Sequence, residues 1–156
     1  MSATQLTCYQ VADYLLSKAD EDAGDAISNL KLQKLVYYVQ GFSLALRGRP
    51  MFNEKIIAWQ HGPVVPELYH KYKDNGSLGI PIPEDFDPSK ISAEDRRLMD
   101  DVYDVYGQFS AWKLRNMTHE ESPWKNTPIN CEITLSAMKD YFKGQVDVET
   151  DQATCA

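Results

Sequence analysis

Residues 29–47 are apolar around most of a helical surface, and this segment constrains the fold more than any other part of the chain. Polar residues at 28–29 can cap its start, and Gly48 provides a stop, so we predict one continuous helix. A helix that is apolar on most sides belongs in the centre of a bundle. We expect only the end that carries Lys31 and Lys34 to reach solvent.

A small β element is predicted after this helix. Residues 56–59 (IIAW) are β-branched and aromatic and lie between turn-forming residues, which favours a short strand. Its partner is open between residues 51–52 and 80–82. The Gly-Pro pair at 62–63 forces a sharp turn, and a helix can begin only from about Pro66.

The remaining elements are predicted to be helical. Capping and periodicity indicate helices from Thr7 to about Lys18, from Pro66 to about Lys73, and after the caps Ser92, Ser110 and Thr134. Gly144 is expected to end the last helix. The predicted fold is mainly α: a single compact helical domain over residues 1–144, with a central helix at about 29–47 and one small β element near 56–59. Residues 145–156 are polar and acidic and are expected to form a disordered acidic C-terminal tail.

Length and cysteine content place further limits on the chain. At 156 residues it has the size of one domain and can bury a core without disulfides or metal. Its three cysteines are an odd number without a CxxC spacing, which indicates a reducing cytoplasm. Neither a signal peptide nor an apolar membrane span is present in the sequence, so we expect no membrane association.

Charge is unevenly distributed along the chain. The net charge is −7, but residues 31–73 carry seven Lys and Arg against two acids. The acidic remainder makes bulk nucleic-acid binding unlikely, because phosphate neutralisation needs a broad positive surface. Two interpretations of the basic segment stay open: a patch that faces an acidic partner, or a solvated helix face.

Three sequence blocks stand out in a fixed order. They are KLQKLVYY at 31–38, AWQHGPVVP at 58–66 and MTHEESPW at 117–124. Together they resemble the Panacea or SocA-like antitoxin domain of bacterial and phage toxin–antitoxin systems, over about residues 6–143. Met117 stands where Leu is usual in the family, a conservative apolar change.

This resemblance implies a function. The chain is expected to be an antitoxin that neutralises a cognate toxin protein by direct binding. A variant of this function is a proteolytic adaptor that delivers the toxin to a ClpXP-type protease. The resemblance implies neither a cofactor nor a metal, and the toxin's fold cannot be inferred from the antitoxin domain.

Two other classes of function are alternatives to this one. A small enzyme could use His61, His119 and Glu120, since imidazole and carboxylate can form an acid–base pair or a metal site. However, no HExxH or CxxC spacing is present, and adjacent residues on a helix point in different directions. We therefore expect no enzymatic activity. The other class is a nucleic-acid-binding module on the basic segment.

The expected site residues fall into two groups. The motif residues are expected to build one corner of the fold, in which Thr118 caps the following turn and His119 anchors the Gly-Pro turn while Trp59 and Trp124 are buried together. This structural group comprises Trp59, Gly62, Pro63, Val64, Pro66, Tyr69, Thr118, His119, Glu120, Pro123 and Trp124. The residues expected to contact the toxin are Lys31, Lys34, Tyr38 and His61.

Overall fold

The computed structural model describes residues 5–19 and 26–155, with side chains up to residue 146. The helices are α1 (Cys8–Ser17), α2 (Asn29–Arg47), α3 (Pro66–Tyr72), α4 (Ala93–Tyr106), α5 (Ala111–His119), α6 (Ser122–Lys125) and α7 (Leu135–Cys155). The strands are β1 (Ile57–Trp59) and β2 (Gly62–Val64). The mainly α prediction is therefore confirmed. None of the described helices has the length and hydrophobicity needed to cross a membrane.

Helix α2 lies at the centre, as its sequence predicts. Helices α1, α4, α5 and α7 all pack against it. Its start is capped by the Ser28 side chain, which accepts from the Lys31 amide, and it ends at Gly48, whose φ of 73° favours glycine. The capping box of α1 is also present: the Thr7 side chain accepts from the Gln10 amide and Gln10 reaches back.

Close packing of α2 against α7 depends on a glycine. A Cβ atom on Gly41 would lie 2.2 Å from the Phe142 ring, far inside van der Waals contact. The Phe142 ring also meets Tyr37 edge-on, with 5.4 Å between centroids. Helix α7 therefore approaches the central helix where the side chain is smallest.

The partner of the first strand differs from both predicted segments. Strand β1 forms an antiparallel hairpin with β2, pairing Ile57 with Val64 and Trp59 with Gly62. Its other edge is covered by residues 130–133, where the Ala58 amide donates to Cys131 at 3.0 Å. The sequence predicts only a turn at the Gly-Pro pair, but Pro63 lies within an edge strand, where the missing amide donor is tolerated.

The last helix also differs from its prediction. Helix α7 continues through Gly144 to Cys155, so the predicted stop at Gly144 is wrong. An exposed glycine within a helix costs only about 1 kcal/mol relative to alanine, and no proline follows it here. Side chains from residue 147 onward lie outside the described part, so the division into a domain and a disordered acidic tail stays a prediction.

Candidate functional site

The hairpin forms a tight corner that only glycine can occupy at its second strand. The two-residue loop of Gln60 and His61 joins the strands, and Gly62 has a φ of 113°. A Cβ atom at Gly62 would lie 2.7 Å from Lys34 Cε and 2.8 Å from Thr118 Oγ1. Both the backbone angle and the lack of space therefore require glycine.

Two polar side chains of α2 hold the free edge of this hairpin. Gln33 Oε1 accepts from the Val65 amide at 2.8 Å, and Gln33 Nε2 donates to Asn29 Oδ1 at 3.0 Å. Lys34 Nζ donates to the Pro63 carbonyl at 3.1 Å. Side chains of a helix thus satisfy backbone groups that a third strand would otherwise pair. They also fix the start of α3, where Pro66 is in the first turn and Val65, the N-cap residue, has no polar side chain to cap the helix.

The burial of Lys34 corrects one of the sequence predictions. This lysine is fully buried, although it was expected at the solvent-exposed end of α2 and in contact with the toxin. Burial lowers the pKa of its ammonium group to about 7, and the positive charge of Arg115 adds to this effect. Lys34 therefore supports the hairpin from inside and offers no surface to a partner.

Tyr38 is a second correction, since it is also fully buried. Its hydroxyl donates to Glu121 Oε2 at 2.7 Å, and the Tyr37 hydroxyl donates to Glu121 Oε1 at 3.0 Å. Burial raises the pKa of the Glu121 carboxyl to about 7, although the two tyrosine hydrogen bonds act in the opposite direction. The paired tyrosines thus fix the segment between α5 and α6.

The third motif closes the corner from the other side. The His119 ring stacks on Trp124 with 3.9 Å between centroids and 2° between planes. Trp124 Nε1 donates to the Trp59 carbonyl at 2.8 Å. Burial, followed by the charge of Arg115, lowers the pKa of His119, while a hydrogen bond with the Gln60 backbone opposes this. The structure thus brings the second and third motifs together in one corner.

Some residues of the third motif do not behave as predicted. Thr118 lies inside α5, and its hydroxyl donates to the Arg115 carbonyl at 2.8 Å, so it does not cap the following turn. Glu120 is exposed, whereas its neighbour Glu121 is buried. Pro123 is buried in the first turn of α6, as a helix start requires.

The outer side of the corner is exposed. His61 is exposed, and Arg115 Nε donates to its Nδ1 at 3.4 Å. The guanidinium carbon of Arg115 lies 4.5 Å from the centroid of the Trp112 ring, which is 57% exposed. On the other side of His61 a groove of about 480 Å³ lies between α2, the hairpin and α3, with Trp59 and Tyr69 among its walls.

Of the four predicted contact residues, the structure therefore leaves two near the surface. His61 is exposed, and Lys31 is half-buried and donates to the Gly107 carbonyl at 2.6 Å. Sequence reasoning missed Gln33, Glu121, Trp112 and Arg115. Gln33 could have been found in the sequence, because it is a polar residue inside an apolar helical face. No sequence signal distinguishes the buried Glu121 from the exposed Glu120.

The described side chains contain no group of three or more His, Cys, Asp or Glu residues placed to hold a metal ion. His61 faces Arg115, and His119 stacks on Trp124. The two histidines considered for catalysis, His61 and His119, thus contact different side chains.

Comparison with known proteins places this corner in a family. Residues 32–125 match the family described as Antitoxin SocA-like, Panacea domain, a range that includes the second and third motifs and all of the first except Lys31. The chain is also 46% identical over 66 residues to a protein named Antitoxin SocA from Caulobacter vibrioides (strain NA1000 / CB15N). That match covers 42% of this chain and 35% of the relative, so the chain matches about a third of the relative's length. No solved structure matches the chain. The chain belongs to the SocA-like antitoxin family with a Panacea domain.

Proposed function

We propose that this protein neutralises a cognate toxin protein by direct protein–protein binding. Family membership supports the antitoxin role, and the similar protein from Caulobacter vibrioides is itself named an antitoxin. Neutralisation by binding requires an accessible surface, and exposed residues beside the family motifs support its placement there. We place the contact on the outer side of the hairpin corner, around His61.

One observation carries this proposal: the motif side chains are used internally to fix the position of an exposed loop. Gln33 and Lys34 hold the second strand from behind, and Trp124 holds Trp59. A loop that is fixed before binding loses little conformational entropy on association, which favours affinity. His61 at the tip of this loop remains a proposed contact. Lys31 lies at the same end of α2 as Gln33 and Lys34.

The proposal is a binding role without catalysis. His119 stacks on Trp124, which gives it a packing role that needs no reaction, and its neighbour Glu120 is exposed. Cys8 and Cys131 carry free thiols, which fits action in a reducing cytoplasm. A toxin in that compartment is the partner we propose.

Co-expression tests this function. The protein encoded by the reading frame adjacent to this chain's gene is expressed as the candidate toxin, alone and together with this chain. We expect growth arrest by the first protein, rescue by this chain, and copurification of the two. Rescue in a host that lacks its ClpXP-type protease would support neutralisation by binding.

Two results would contradict the proposal. Absence of both rescue and copurification would exclude an antitoxin role toward that protein. Rescue that disappears when the protease is absent would instead identify this chain as a proteolytic adaptor.

A further inference from the structure

An exposed tryptophan lies next to the motif corner without serving the core. Trp112 is in the first turn of α5 and is 57% exposed. Its ring is covered on one side by the guanidinium group of Arg115, one turn later on the same helix. Tryptophan and arginine are the residue types that most often dominate binding energy at protein interfaces. An exposed stacked pair of this kind is therefore a candidate anchor.

This pair is continuous with the groove across the hairpin loop. Arg115 contacts His61, and His61 lines the groove together with Trp59 and Tyr69. The Trp59 and Tyr69 rings meet edge-on, with 5.0 Å between centroids, and Tyr69 is 38% exposed. The groove presents more apolar than polar surface, because Leu30 and Val64 also line it. Its volume of about 480 Å³ and its apolar lining leave room for at least one large apolar side chain of a partner.

The charge of this surface selects the kind of partner. Lys73 and His61 line the groove and Arg115 borders it, and none of the described groove-lining residues is an acid. Lys73 is the lysine of the basic segment 31–73 that lines the groove. Arg47 and Arg49 of that segment pair with acids of α4 instead, and the whole chain has a net charge of −7. An acidic partner segment would be attracted here and repelled by the rest of the protein.

We infer that the toxin binds through an acidic segment that places an apolar side chain in the groove and a carboxylate against Arg115, with Trp112 covering the segment's edge. This inference rests on the proposed function and adds the chemistry of the partner. It replaces the predicted contact set of Lys31, Lys34 and Tyr38, of which the last two are buried. The corner is held from behind by Gln33 and Lys34, so the surface is formed before binding.

Titration calorimetry with the purified protein from the adjacent reading frame tests the inference. The variants are Arg115→Glu and Trp112→Ala. A third variant, Arg115→Gln, removes the positive charge of Arg115 without adding a negative one. The matched controls are Arg97→Glu, an exposed arginine of α4, and Leu46→Ala, which is also 57% exposed and lies near the other end of α2. Thermal unfolding establishes that every variant used is folded.

We expect Arg115→Glu and Trp112→Ala each to weaken binding by about tenfold or more, with both controls within about twofold of the unchanged protein. Binding of the unchanged protein should weaken as salt concentration rises. Folded Arg115 and Trp112 variants that bind as tightly as the unchanged protein would overturn the inference while leaving the proposed function intact.

Failure of the unchanged protein to bind would overturn the proposed function, and the inference with it. A third outcome concerns a second copy of this chain as the occupant. If the protein alone forms a dimer that Trp112→Ala dissociates, the groove serves self-association and the inference is wrong.

Discussion

Lys34 gives the clearest quantitative prediction, because a lysine is almost never fully buried without a carboxylate partner. Its pKa is about 7 in the folded protein and 10.5 in the unfolded chain. Between about pH 7 and pH 10.5 the Lys34 side chain holds its proton in the unfolded chain more than in the folded protein, so the free energy of unfolding must rise with pH. Integrating the proton difference from pH 7 to pH 9 gives a gain of about 2 kcal/mol, at about 1.36 kcal/mol for each proton and pH unit.

The perturbation is Lys34→Met, which keeps the apolar stem but removes the titrating group and the hydrogen bond to Pro63. Urea unfolding at pH 7, 8 and 9 measures the free energy of unfolding for both proteins. Cys8, whose pKa burial raises to about 12, opposes the gain near pH 9, but it does so equally in both proteins and cancels in their difference.

We expect the unchanged protein to gain about 2 kcal/mol more than Lys34→Met over this range. Lys113→Met, which removes an exposed lysine, controls for the loss of one charge. The same pH dependence in the unchanged protein and in Lys34→Met would show that the Lys34 ammonium is solvated, which would refute its place behind the hairpin.

Three further predictions concern the same packing. Between about pH 4.5 and 7 the Glu121 carboxyl ionises in the unfolded chain but keeps its proton in the folded protein, so the unchanged protein loses stability as pH rises. Glu121→Gln should remove this loss. Urea unfolding of both proteins at pH 5 and 7 measures it, and the same change in the free energy of unfolding with pH in both would contradict the prediction. Trp124→Ala should lower the free energy of unfolding by about 3 kcal/mol, the low end for tryptophan truncation, because the ring is half-buried. Trp112→Ala removes an exposed ring and should change it by under about 1 kcal/mol. Similar thermal midpoints for the two variants would contradict the shared corner. Gly41→Ala should destabilise the protein by about 1–3 kcal/mol despite alanine's higher helix propensity, because its methyl group overlaps the Phe142 ring; a higher thermal midpoint would refute close α2–α7 contact there.

The central helix could be predicted because its determinants are local. Caps at Ser28 and Gly48 and the apolar period lie within one segment, so the bounds of α2 follow from about twenty consecutive residues. Ser92 and Ser110 cap their helices in the same way. Helix starts and faces are therefore the part of this fold that the sequence determines most directly.

The site could not be predicted to the same depth, because its contacts join distant segments. Lys34 looks like a surface lysine until the hairpin brings the Pro63 carbonyl to it from 29 positions away. Glu120 and Glu121 are indistinguishable in sequence, and only the packing of α6 against the tyrosines of α2 buries one of them. Likewise, Trp112 carries no local signal that it is exposed.

The central claim is that this chain neutralises a toxin by binding it, and a reconstitution from purified components tests this claim most directly. The adjacent gene's protein is assayed for its toxic activity, once that activity is established, at increasing amounts of this chain and without any protease. The account predicts loss of activity that is complete at a fixed stoichiometric ratio, together with a stable complex on size-exclusion chromatography. Full toxic activity in the presence of an excess of this folded chain, with no complex formed, would contradict it.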